Sequence, residues 1–417
     1  MIRIVWLCYF SNREVRKYLP IRYRFFERLE RVLSGQSLKP NVSDIAIWNT
    51  RAIKEFETHP EIELHVVSPC SYLASKQVSF VIRGVHYVFI ENEEVSFRKR
   101  LITHLSNRPY GYRKNREHII EIINEIKPNV VHVIGAENPF YSLALLDIEK
   151  PIKTVVQLQT LVSDPVFADG YPISRKRLEY LRGVERQVIS CADYVGTTVQ
   201  RYKDLIDKLF GGDVVLVPTS LPLSEDCIGK ELIDKSFDFV YFSLNINKAA
   251  DIAIESFAIA KNKHPEITLD IVGGYTNDYK QELETRLKEL SIQESVYFEG
   301  CLETHDDVIR QIRKSKYALL PLKVDMVSGT IREAQANGLP VITTITKGTP
   351  ALNKDRECVL LSPIDDINEM ANNMVRLIED DSLADTLRKN SLISAHSRES
   401  SKKIVDDYIS FYKTIVQ

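Results

Sequence analysis

Short, continuously apolar runs rich in β-branched residues alternate with longer stretches of helical spacing along nearly the whole chain, and the alternation restarts once. Such alternation is the mark of βα units and parallel sheets. In the first half the strand candidates are 2–9, 62–68, 130–135, 153–159, 194–199 and 214–218. The segment 77–90 adds a hairpin candidate, because Arg83-Gly84 separates two runs of period 2. The second half repeats the pattern with strands at 237–244, 267–274, 295–300, 317–322, 340–344 and 358–361. Helices are expected over about 248–264, 278–291, 305–315 and 330–338, and after Pro363 the spacing is helical throughout. A chain of 417 residues is too long for one ordinary core. Two doubly wound α/β domains are expected, over 1–220 and 236–395. The proline-bearing, polar segment 221–235 links them as a hinge, and a last helix spans 396–417.

Composition narrows the function. Lysine and arginine (55) nearly cancel aspartate and glutamate (57), so no global field argues for nucleic acid as a partner. The six cysteines are scattered without CxxC or Cys/His spacing, and neither they nor any paired aspartates point to a metal or a cofactor. The apolar start MIRIVWLCYF is too short for a signal peptide, and no later run approaches membrane-spanning length. The expected location is the cytoplasm. The run 97–117, with seven basic residues and no acid before Glu117, reads either as a solvated face or as an anchor for an anionic acceptor or the inner face of a membrane.

The most informative segment is LLPLKVDMVSGTIREAQANGLPVITT (319–344). A strand leads into a loop with Ser328, Gly329 and Thr330, a helix opens, and Gly338 closes it before the next strand. A glycine-bearing loop feeding a helix start offers backbone N–H groups and a positive dipole end to a diphosphate or a sugar hydroxyl. Asp325 and Glu333 bracket that loop and are placed to accept hydrogen bonds from ribose or hexose. On periodicity alone the same string is also an ordinary βα crossover with solvated acids.

These residues resemble the signature of the retaining, nucleotide-sugar-dependent glycosyltransferases of family 4, in which two acids flank seven residues and an EA-x-A-x-G-x-PV run follows. Glu333, Ala334, Ala336, Gly338, Pro340 and Val341 match it, and Asp325 stands where the family has glutamate. The likeness covers the C-terminal half well and the N-terminal half faintly. It implies a GT-B fold, two Rossmann-like domains facing across a cleft, with the last helix crossing back to the first domain. It also makes Glu333 the ribose ligand and Asp325 the acid beside the donor sugar. In FVYFSLNINKAADIAIESFAIA (239–260), Lys248 matches the lysine that clamps the donor diphosphate. The family's arginine is missing, Ser243 and Asn245 standing at the plausible positions, so Asn245 would donate a neutral hydrogen bond in its place. Gly273, Gly274 and Gly300, at strand ends, fall where the family contacts base and diphosphate.

In the first half, Ser11, Asn12 and Arg13 follow the first strand and could donate to an anion, although the family's glycine-rich turn is absent. Gln159 stands where the family often has a histidine beside the reacting carbon. The nearest histidine, His132, reads as a core residue inside VVHVIG, and Glu137 ends that strand as a candidate acceptor contact. The expectation is metal-independent transfer of a sugar from a nucleoside diphosphate to a glycan or lipid-linked acceptor, with retention. The rival readings are an epimerase or hydrolase on the same fold, or a non-catalytic partner that binds sugar nucleotides.

Overall fold

The computed structural model describes residues 1–23, 25–33, 42–93, 111–170, 173–219, 233–242, 249–274, 277–324 and 329–417. The chain forms two compact units. The first comprises Met1–Ala168, Ile173–Pro222 and Ser401–Gln417, and the second Asp169–Pro172 and Leu223–Ser400.

The first unit holds strands β1 (Ile2–Leu7), β2 (Ile62–Cys70), β3 (Gln77–Ile82), β4 (Val85–Glu91), β5 (Val130–Ile134), β6 (Lys153–Gln157), β7 (Tyr194–Gly196) and β8 (Leu216–Val217). They form one sheet in the order β3-β4-β2-β1-β5-β6-β7-β8, parallel except for β3. β5 is buried along its whole length, which is why it reads as an unbroken apolar run. The β3–β4 hairpin turns at Arg83 (φ 44°) and Gly84 (φ 84°), the positive angles that a two-residue turn with the right twist demands.

The second unit holds β9 (Phe237–Phe242), β10 (Leu269–Val272), β11 (Val296–Gly300), β12 (Ser315–Leu320), β13 (Val341–Thr344) and β14 (Val359–Ser362). Their order is β11-β10-β9-β12-β13-β14, all parallel. Counted along this unit, that is 3-2-1-4-5-6, the order of a dinucleotide-binding sheet, with its topological switch between β9 and β12. In the first unit the same reversal falls between β1 and β5.

The helix Ser401–Ile415 belongs to the first unit, and Ile404, Tyr408 and Tyr412 enter a core with Trp6 and Phe56. Trp6 Nε1 donates to the Tyr412 hydroxyl at 3.0 Å, leaving the hydroxyl's own proton for Nδ1 of His132, with which it also pairs. Burial pushes His132 down to about 3, so it is a neutral core imidazole. Tyr412→Phe leaves a buried donor and acceptor without their partner. It is expected to cost about 1–3 kcal/mol in urea unfolding while leaving nucleotide binding unchanged.

Candidate functional site

Open α/β sheets bind ligands beyond the carboxyl ends of their strands at the switch point, because the loops diverge there and leave a crevice. In the second unit the switch point lies between β9 and β12, which pair directly. Lys323 Nζ, just past β12, and Asp251 Oδ2, in the first turn of the helix Ala250–Lys263, pair at 3.0 Å. Asn245 and Lys248, which follow β9 in sequence, and Asp325 and Ser328, which follow β12, lie outside the described residues. Gly329 opens the helix Gly329–Ala336 and is exposed, while Thr330 is buried. A side chain built on Gly329 would meet open space, so packing does not demand glycine there. The helix ends at Gly338 (φ 68°), whose left-handed angle closes it with Leu339 N donating to Ala334 O at 3.0 Å.

Glu333, one turn into that helix, is 13% exposed and faces His305, also 13% exposed, with His305 Nε2 at 3.5 Å from Glu333 Oε1. His305 opens the helix His305–Ile312, whose N-cap Thr304 accepts from Asp307 N at 3.1 Å. Sequence reading passed over this histidine, because THDD reads as a helix cap and nothing more. Its position follows from β11, which ends at Gly300 (φ 74°) and whose Gly300 O accepts from Gly273 N at 2.9 Å. Gly273 has φ 143°, so both glycines hold backbone angles that side chains resist. Gly274 is different. A Cβ there would sit 3.6 Å from Cys301 Cβ, an ordinary contact.

The end of β12 is fixed from the neighbouring strand. Thr344 Oγ1 accepts from Leu322 N at 2.8 Å, and Thr343 Oγ1 donates to Leu320 O at 2.7 Å. These bonds set where the loop toward Glu333 departs.

At the switch point of the first unit, Asn12 caps the short helix Arg13–Arg16 by accepting from Val15 N at 2.9 Å, and its amide donates to Thr50 Oγ1. Ser11 accepts from Arg16, which also pairs with Asp44 at 2.8 Å. Arg13 is exposed. Across the switch, Glu137 and Gln159 come together over Gly135 (φ 96°). A Cβ on that glycine would lie 3.1 Å from Glu137 Oε1, 3.1 Å from Gln159 Oε1 and 2.7 Å from Asn138 Nδ2. Burial pushes the Glu137 carboxyl up to about 7, with the Glu185 charge adding and a hydrogen bond from Asn138 opposing.

Among the described residues, Glu63, His65 and His86 are the group whose ligand atoms could gather around a metal, all within 4.8 Å of one another. They sit at the amino-terminal ends of β2 and β4, away from the switch point, and Arg3 pairs with Glu63 at 2.9 Å. That guanidinium opposes a second cation. Of the basic run, 97–110 lie outside the described residues, while Arg113 pairs with Glu117 and Arg116 with Asp147. No helix among the described residues is long and apolar enough to cross a membrane.

Residues 229–392 match the family model described as "Glycosyl transferases group 1". Sucrose-phosphate synthase from Thermosynechococcus elongatus superimposes with a TM-score of 0.69 at 14% identity, over 100% of this chain and 99% of that one. HepE from Anabaena, solved with UDP and glucose, gives 0.65 at 14% identity, over 99% of this chain and 100% of its own. The fold is GT-B. The chain is also 22% identical, over 135 residues, to the 2-deoxystreptamine N-acetyl-D-glucosaminyltransferase of Niallia circulans, a match spanning 32% of this chain and 34% of that protein. The family match thus falls on the unit with the 3-2-1-4-5-6 sheet and takes in its switch point, Glu333 and His305.

Proposed function

We propose that this GT-B protein is a glycosyltransferase that moves a sugar from a nucleoside-diphosphate sugar to a glycan or lipid-linked acceptor, without a metal ion and with retention of anomeric configuration. The observation that carries this reading is Glu333, half-buried at the switch point of a dinucleotide-type sheet inside the segment that matches the group 1 family. A carboxylate there accepts from the two ribose hydroxyls, and Lys248, from the segment after β9, neutralises the diphosphate and the charge that develops as it leaves. Asp325 meets the donor sugar, and Asn245, Gly273, Gly300, Ser328 and Gly329 offer neutral donors or close backbone approach. With lysine and backbone amides for the phosphates, no cation is required. The basic residues of 97–117 would favour an anionic, lipid-linked acceptor.

HepE is solved with UDP and with UDP-glucose, which makes uridine nucleotides the first donors to try. A thermal-shift screen of UDP, GDP, ADP and their sugars should find a ligand that stabilises by about 2.7 kcal/mol at a hundred times its Kd. The shift and the turnover should both survive EDTA. Turnover lost in EDTA and restored by manganese or magnesium would count against metal independence, and NMR of the fresh product reads the anomeric outcome directly.

A further inference from the structure

Among the described residues, His59, His65, His264 and His305 each stand beside a carboxylate. Where they stand differs. His59 and His264 precede β2 and β10, and His65 lies in the amino-terminal half of β2, so these three are on the side of the sheets that does not receive ligands. His305 follows β11 and its partner Glu333 follows β12, which puts this pair at the carboxyl ends, in the unit that matches the group 1 family.

Packing sets the two side chains against each other. The helices His305–Ile312 and Gly329–Ala336 share one core, in which Ile309 and Ile312 of the first and Ile331 and Ala334 of the second pack with Val240, Phe242 and Leu320 of the sheet. His305 is the first residue of its helix and Glu333 lies one turn into the other, so both come from backbone that the core holds. Asp307, the neighbouring acid of the first turn, is already engaged by Thr304 Oγ1 at 2.6 Å and by Arg310 at 2.7 Å. The 3.5 Å between His305 Nε2 and Glu333 Oε1 is longer than a formed hydrogen bond, as contacts in a binding site often are before the ligand arrives.

A glutamate side chain is long and rich in rotamers, and its carboxylate meets two ribose hydroxyls together only in a narrow range of orientations. An imidazole N–H on one oxygen removes much of that freedom beforehand. Ordering one such side chain in advance is worth roughly twofold to tenfold in affinity.

We propose that His305 is a positioning residue for the donor nucleotide: it holds Glu333 Oε1 so that the carboxylate meets both ribose hydroxyls, and it thereby sets the preference for a ribonucleotide over its deoxy form. The role rests on the glycosyltransferase reading of Glu333. His305 acts through the carboxylate and not on the reacting atoms, so its loss falls on donor affinity more than on turnover.

Calorimetry on the full-length protein with UDP, GDP and ADP and their 2′-deoxy forms tests this. A diphosphate that binds the wild type should bind about tenfold more tightly than its deoxy form. His305→Leu should weaken the ribonucleotide by about threefold to tenfold and leave the deoxy form nearly unchanged. His305→Gln keeps an N–H donor and should recover most of the loss. In a Glu333→Ala background, His305→Leu should cost nothing further. In the wild type, the His305 ring ¹⁵N signals should move more with the ribonucleotide than with the deoxy form. Circular dichroism confirms that the variants fold; should His305→Leu not fold, the ring signals decide, and an equal response to both nucleotides overturns the role. Equal weakening of both nucleotides by His305→Leu, no weakening of either, or an undiminished loss in the Glu333→Ala background overturns the positioning role alone. If none of the three diphosphates binds the wild type, the glycosyltransferase reading itself fails and the role falls with it.

Discussion

Lys248→Ala is expected to lower kcat by roughly a hundredfold to a thousandfold, the usual cost of losing one charge-stabilising donor, and to weaken donor binding by much less. In sequence the lysine falls between β9 and the helix Ala250–Lys263. Its charge matters most as the diphosphate departs, so its loss falls on turnover more than on ground-state affinity. Glu333→Ala should show the opposite balance. It removes charge-assisted hydrogen bonds to ribose worth about 1.5–3 kcal/mol, so donor affinity drops by roughly tenfold to a hundredfold. Asn245→Arg would restore a cation in the same segment and should leave turnover unchanged or higher. Steady-state kinetics and calorimetry with the donor found by screening separate these effects. If Lys248→Ala leaves both kcat and affinity intact, the diphosphate is not held after β9 and the assignment of the donor site is wrong.

Much of the fold is legible because parallel strands buried on both faces must be apolar at every position. VVHVIG is such a run, and its histidine is as buried as its valines. Arg83-Gly84 is legible for another reason, since few dipeptides accept two positive φ angles in succession. The short strands at the β8 margin of the first sheet are harder to bound. The run 214–218 yields only Leu216–Val217, and 194–199 only Tyr194–Gly196, because pairing length is set by the neighbouring strand and not by local propensity. The contacts of Tyr412 with Trp6 and His132 join residues 406 and 280 positions apart, and nothing in local spacing encodes them. The site divides in the same way. Glu333 is visible through a motif, whereas His305 enters only when its helix, His305–Ile312, is brought against the helix Gly329–Ala336. Glu137 is visible as an acid at a strand end, but that its Oε2 is buried without a partner among the described residues is a property of packing.

Glu137→Gln and Asp270→Asn are each expected to stabilise the protein at pH 8 by on the order of 3 kcal/mol, and to do almost nothing at pH 4. Both carboxyls are driven up to about 7 chiefly by burial, from ordinary values of 4.5 and 3.8. Asp270 is fully buried in β10, with Gln311 Nε2 donating to one oxygen at 2.9 Å while the other has no partner among the described residues. Between the two values the folded chain holds protons that the unfolded chain has released. Stability therefore falls as pH rises from about 4.5 through 7, and the penalty is complete above that. His132 works against this trend. Held near 3, it is neutral in the fold and charged when unfolded, so it adds stability as pH rises from 3 to its ordinary 6.5. The wild-type profile mixes these opposing slopes, and only the difference between variant and wild type isolates each carboxyl. Glutamine and asparagine keep the oxygen that accepts from Asn138 or Gln311, so the loss of charge is the main change. Because the two residues belong to different units, the double variant should gain the sum of the two effects. Urea unfolding at pH 4, 6 and 8 measures this. A gain that is the same at all three pH values would show that the carboxyls titrate normally and that burial does not hold their protons.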